Sequence, residues 1–183
     1  YNTAIGKSCL PSNTTGYSNT AVGNVAMQQN TTASNNTALG YAAMKLNTTG
    51  ASNTAVGRAS MHANTTGGSN SAFGYGALYA NTTGQLNTAV GYNALTAQNS
   101  DGYNTAVGAN SMESTTSGSS NAALGRLSLN ANTTGSNNTG IGYSALQANT
   151  TGADNSAVGY EALKNNTTGH SNVAVGKFAL YAN

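Results

Sequence analysis

Asn87-Thr88-Ala89-Val90-Gly91-Tyr92-Asn93-Ala94-Leu95 is one copy of a unit that runs the length of the chain. Its opening asparagine recurs at residues 2, 19, 36, 53, 70, 87, 104, 121, 138, 155 and 172, each 17 residues after the last, with no insertion or deletion. A period held this strictly predicts identical structural units stacked on one another. With the asparagine as position 0, the consensus is N-T-A-V-G-Y-x-A-L-x-A-N-T-T-G-x-S.

Two columns are always large and apolar. Position 3 holds Val, Ile, Leu or Phe (Val22, Val56, Val90, Val107 and Val158 among them), and position 8 holds Leu or Met (Leu78, Leu95, Leu129, Leu146, Leu163). Both are read as core, flanked by small residues at positions 2 and 7 that imply close packing. Glycine is invariant at position 4, which points to a backbone angle or a close approach that other residues resist. A second glycine usually closes Asn-Thr-Thr, as turn chemistry.

Helical solenoids need about 33–47 residues per repeat. Seventeen residues with two glycines and β-branched positions suit one coil of a parallel β-solenoid instead. The expectation is an all-β fold of about eleven coils, about 4.8 Å apart, forming one repeat domain over residues 1–183. Stacking then sets like residues above one another. The opening column (Asn19, Asn36, Asn53, Asn70, Asn87, Asn104) and the Asn-Thr-Thr asparagines become amide ladders joining coil to coil.

Composition narrows function. Charged residues make up 5% of the chain, and the six basic ones are scattered over separate repeats, whereas nucleic-acid binding needs a basic stripe. No apolar run reaches membrane-spanning length, and no signal peptide is recognisable. One cysteine, Cys9, cannot form an intrachain disulfide; it stands in the position 7 column of small residues and is read as packing. The chain starts at Tyr1 and stops at Asn183 in mid-register, and is read as a fragment of a longer fibre.

Catalysis finds no support in the columns. His62 and His170 occupy different repeat positions, and Asp101, Glu113, Asp154 and Glu161 fall in separate coils, so neither a metal set nor a paired acid and base recurs. No cofactor is expected. The column free to carry recognition is position 5, where Tyr41, Tyr75, Tyr92, Tyr143 and Tyr160 alternate with Lys7, Arg58, Arg126 and Lys177. This is a candidate binding stripe for a glycan or receptor, although tyrosines covering a glycine bend are also ordinary packing. In a eukaryotic secretory setting, the eight Asn-Thr-Thr turns would be glycosylation sequons.

The Ala-Val-Gly-x-x-Ala segment followed by Gly-x-x-Asn-x-Ala-Val-Gly, seen from Ala55 to Gly74 with Ser60 for the alanine and Phe73 for the later valine, resembles the head repeats of YadA-like trimeric autotransporter adhesins. The longer stretch Asn138 to Gly152 resembles repeat tracts of phage tail fibres and bacterial surface fibres. The likeness implies a left-handed β-roll, three chains packed together, and a structural or adhesive, non-enzymatic role in an extracellular, cell-surface or virion fibre. A core this thin, with two large apolar residues per coil, also favours burial between chains. The alternative is an ice-binding solenoid that uses Thr and Asn arrays. Adjacent threonines in Asn-Thr-Thr count against it, because neighbours on a strand face opposite ways.

Overall fold

A computed structural model describes residues 1–99 and 102–182. Each repeat contributes one strand of three residues: β1 (Thr3–Ile5), β2 (Thr20–Val22), β3 (Thr37–Leu39), β4 (Thr54–Val56), β5 (Ser71–Phe73), β6 (Thr88–Val90), β7 (Thr105–Val107), β8 (Ala122–Leu124), β9 (Thr139–Ile141), β10 (Ser156–Val158) and β11 (Val173–Val175). They form one parallel sheet in sequence order. The register is the repeat itself: Thr88 pairs with Thr105, Ala89 with Ala106 and Val90 with Val107. The chain is a β-solenoid of 17-residue coils with no helix among its described residues.

The strands are short because glycine ends them. Gly91 has φ of +137°, a region that a Cβ makes costly. A Cβ there would also stand 2.6 Å from the carbonyl oxygen of Gly108 in the next coil. The remainder of each coil is turn, yet its backbone still bonds to its neighbours. The amide of Leu95 donates to Ser111 O at 2.9 Å, and that of Asn93 to Tyr75 O at 2.9 Å. Leu95 itself lies in the left-handed region with φ 53°, uncommon for a bulky residue. That conformation recurs at position 8 in the other repeats, where it turns the side chain inward.

The core departs from expectation in one column. Leu78, Leu95, Leu129, Leu146 and Leu163 are fully buried, as are the methionines sharing their column. The inner face of the sheet, however, carries alanine: Ala21, Ala55, Ala89 and their equivalents are sealed against the Leu/Met column. Val22, Val56, Val90, Val107 and Val158 point outward instead, with Val90 36% and Val158 38% exposed and the other three half-buried. Successive residues of a strand face opposite ways, so Ala and its neighbouring Val cannot both be inside. The narrow interior admits the smaller one.

Candidate functional site

Two asparagine columns stitch the coils, and they do so differently. In the opening column, Asn36 Oδ1 accepts the backbone N–H of Asn53 at 2.8 Å, while Asn53 Nδ2 donates across its own coil to Gly67 O at 2.8 Å. Asn19, Asn36, Asn53, Asn70, Asn87 and Asn104 are all buried. The amide-to-amide ladder belongs chiefly to the Asn-Thr-Thr column: Asn47 Nδ2 donates to Asn30 Oδ1 at 3.0 Å, and Asn64 Nδ2 to Asn47 Oδ1 at 2.7 Å. Each also closes its turn onto the glycine carbonyl, as Asn47 does to Gly50 O at 3.0 Å. At Asn47 and Asn64 both N–H groups are used and the side chain is enclosed. These sequon asparagines therefore present no acceptor nitrogen for sugar on the folded rod.

This ladder has a fault. Position 11 holds Gln98 and Thr115 in consecutive coils. Asn81 Oδ1 and Thr115 Oγ1 on either side are buried with no hydrogen-bond partner.

Position 5 makes two axial stacks. In one, the Arg58 guanidinium lies between the rings of Tyr41 (5.6 Å) and Tyr75 (5.5 Å), and Tyr75 stacks on Tyr92 at 5.3 Å. In the other, Arg126 lies over Tyr143 at 5.8 Å, Tyr143 stacks on Tyr160 at 5.2 Å, and Lys177 lies over Tyr160 at 5.6 Å. Ala109 separates the two. Stacking along the rod turns the ring faces toward each other, so edges and hydroxyls meet solvent.

Position 9 runs beside it. His62 stacks on Tyr79 at 5.0 Å, and its pKa is held below the usual 6.5 by burial first and by the charge of Lys45 second. Farther along, Lys164 pairs with Glu161 at 2.8 Å, which raises the lysine's pKa through that hydrogen bond. The two columns meet over position 6: Phe178 makes edge contacts with Tyr160 at 5.5 Å and with Tyr181 at 5.6 Å. Glu161, Phe178 and Tyr181 border an open depression of about 390 Å³, in which the one carboxylate is already tied to lysine. Cys9 is half-buried and gives its thiol proton to Ala21 O at 3.1 Å; burial pushes its pKa up.

Among the described residues, no three His, Cys, Asp or Glu side chains gather closely enough to hold a metal, and no helix is long and apolar enough to cross a membrane. Asp101 lies outside the described residues.

The surface that repeat reading missed is the outer face of the sheet. Position 1 (Thr20, Thr37, Thr54, Thr88) and position 3 alternate outward beside the buried alanine, giving a hydroxyl column and an aliphatic column side by side. Leu39 is 47% and Leu124 51% exposed on it. The period-two rule applied to Thr-Ala-Val would have found it. The chain matches no family model, no curated protein and no solved structure.

Proposed function

We propose that the chain is a non-enzymatic structural segment, a shaft or adhesive head, of an extracellular, cell-surface or virion fibre. In this reading it assembles with copies of itself through the Thr/aliphatic face of the sheet, as a trimer. The observation that carries the proposal is the aliphatic column turned to solvent in strand after strand, Ile5 through Val175. An apolar strip this continuous is unusual on a monomer. Eleven strands of three residues, about 4.8 Å apart and about 10 Å long, give about 500 Å² per chain. A pair of such faces approaches the 1,200–2,000 Å² typical of stable interfaces. No charged residue stands in either column to oppose close approach.

The test is solution mass by light scattering, on the parent and on a Leu39→Asp/Val90→Asp/Leu124→Asp variant. A trimer that the triple variant reduces to a folded monomer is expected. A monomeric parent at high concentration overturns the assembly.

The same face favours a second reading, ice binding, on firmer ground than Asn-Thr-Thr could give. Threonine and an aliphatic residue two positions on do share one face, repeated at a constant step. Thermal hysteresis measured on the chain separates the two: a fibre segment shows none, whereas ice shaping by a monomer supports the alternative.

A further inference from the structure

Arg58 differs from Arg126, the other arginine of the chain, in how it is held. Its guanidinium lies between the rings of Tyr41 and Tyr75, and the side chain makes no hydrogen bond or ion pair among the described residues. A planar guanidinium held between two rings loses little freedom on binding, and on an exposed side chain its N–H fork is available for bidentate contact with an oxyanion. The neighbouring column carries Lys45, His62 and Tyr79 on the same three coils. Between the columns the floor is small, Ala42, Ala59 and Gly76, all in the left-handed region. Residues 1–100 contain no Asp or Glu at all, with Lys7, Lys45 and Arg58 unopposed. The aromatic groups show their edges, the positive part of the ring quadrupole, and phenolic donors.

We infer that this surface patch, Arg58 with Lys45 and the edges of Tyr41, Tyr75 and Tyr79, is a binding site for an acidic polysaccharide, engaging its sulfate or carboxylate groups. A neutral sugar would want ring faces, and between Arg58 and Tyr92 these are taken up by stacking. A nucleic acid would want a long basic stripe and open faces for its bases, and neither is offered. Arg126 occupies the same column and supplies an internal control. It has one ring partner, and Glu113 stands in the adjacent column one coil away, held by Asn130 Nδ2 at 3.1 Å. The inference does not depend on self-association, because the patch lies around the glycine bend from the sheet face.

The experiment is titration of the whole chain with a size-defined sulfated hexasaccharide, its desulfated counterpart, inorganic sulfate and a single-stranded oligonucleotide, by calorimetry and amide NMR shifts. Binding of the sulfated sugar is expected, weakened about 10-fold or more by Arg58→Gln and about 5-fold by Arg58→Lys, which keeps charge but loses the fork. Arg126→Gln should change it less than about 2-fold. Arg58 is exposed, so circular dichroism should show all three variants folded. Equal affinity of parent and Arg58→Gln, equal affinity for the desulfated sugar, binding of sulfate alone as tight as the sugar, or tighter binding of the oligonucleotide would each overturn the inference.

Discussion

Thr115→Asn should stabilise this protein, and the reason can be worked from the ladder. In a regular stretch, Asn149 Nδ2 donates to Asn132 Oδ1 at 2.9 Å and to Gly152 O at 2.9 Å. One coil back, Asn132 Nδ2 reaches Gly135 O at 2.9 Å, but the next rung down is Thr115, whose hydroxyl is buried without a partner. An asparagine there would accept from Asn132 and donate to Gly118 O. It replaces an orphaned oxygen with two hydrogen bonds, in a column that already houses asparagine in nine repeats. Removing an unsatisfied buried group and gaining a bond is worth about 2 kcal/mol. In a chain of this size that raises Tm by roughly 4–8 °C. Asn64→Thr is the mirror experiment. It loses donation to Asn47 Oδ1 (2.7 Å) and Gly67 O (2.9 Å), and it takes from Asn81 Nδ2 one of its two acceptors, Asn64 Oδ1 at 2.8 Å, leaving Gly84 O at 3.1 Å. A cost of about 3 kcal/mol follows. The assay is thermal melting followed by far-ultraviolet circular dichroism, with backbone hydrogen exchange around the substituted coil, because stability in a repeat array is local. Two variants that both melt with the parent, or a Thr115→Asn that melts lower, would refute the claim that these amides hold the coils together.

Other predictions follow from the same geometry. Gly91→Ala meets both a φ of +137° and the Gly108 carbonyl, and should cost at least about 3 kcal/mol. Gly67→Ala meets the Gly84 carbonyl and the side chains of Asn64 and Asn81, but at no positive φ and in a column where Ala33 already stands, and should cost about 1–2 kcal/mol; denaturant melts rank the pair. His62 should titrate by NMR below 6.5. Above that pH it is neutral folded and unfolded; below it the unfolded chain takes the proton first, so stability falls as pH drops, and His62→Gln should flatten that fall. Expressed through a eukaryotic secretory route, the correctly folded fraction should carry no sugar at Asn47 or Asn64, whose amide protons are taken; mass spectrometry of that fraction checks it, and a glycan at either site in folded protein contradicts the ladder.

The repeat period set the architecture because nothing else competes with it. Equal steps in sequence became equal layers, and the paired register of Val90 with Val107 is that statement in backbone hydrogen bonds. Position 8 was legible for a related reason: a Leu or Met that never varies, in a chain otherwise rich in small polar residues, has only the interior to occupy. Position 3 was misread because apolar constancy was taken to mean burial. Hydrophobicity says a side chain leaves water, but not into which body it goes. Only the strand's alternation, with Ala89 inward, distinguishes the inside of this coil from a face that another surface can cover. The stacking of Tyr75 on Tyr92 was not legible either, since column identity fixes neighbours but not the plane in which rings lie.

The division between inward and outward columns also explains how the repeat can vary without losing its shape. Positions 0, 2, 4, 7, 8 and 11 are held by hydrogen bonds, volume or backbone angle, and substitutions there either keep the chemistry, as Ser60 does by donating to Ala72 O at 3.2 Å, or leave a fault, as Thr115 does. Positions 5 and 9 touch water, and there the coils differ freely: Tyr, Arg, Lys or Ala at one, His, Glu, Lys or Tyr at another; position 6, mixed as it is, is buried at Ala42, Gly76, Ser144 and Glu161. Position 3 fits neither class. It faces outward yet stays apolar in every coil, from Ile5 to Val175. A solvated surface imposes no such restriction, since polar residues would be at least as stable there. A column both exposed and chemically fixed is the observation that supports the proposed self-assembly, in which the aliphatic column of a second copy covers it.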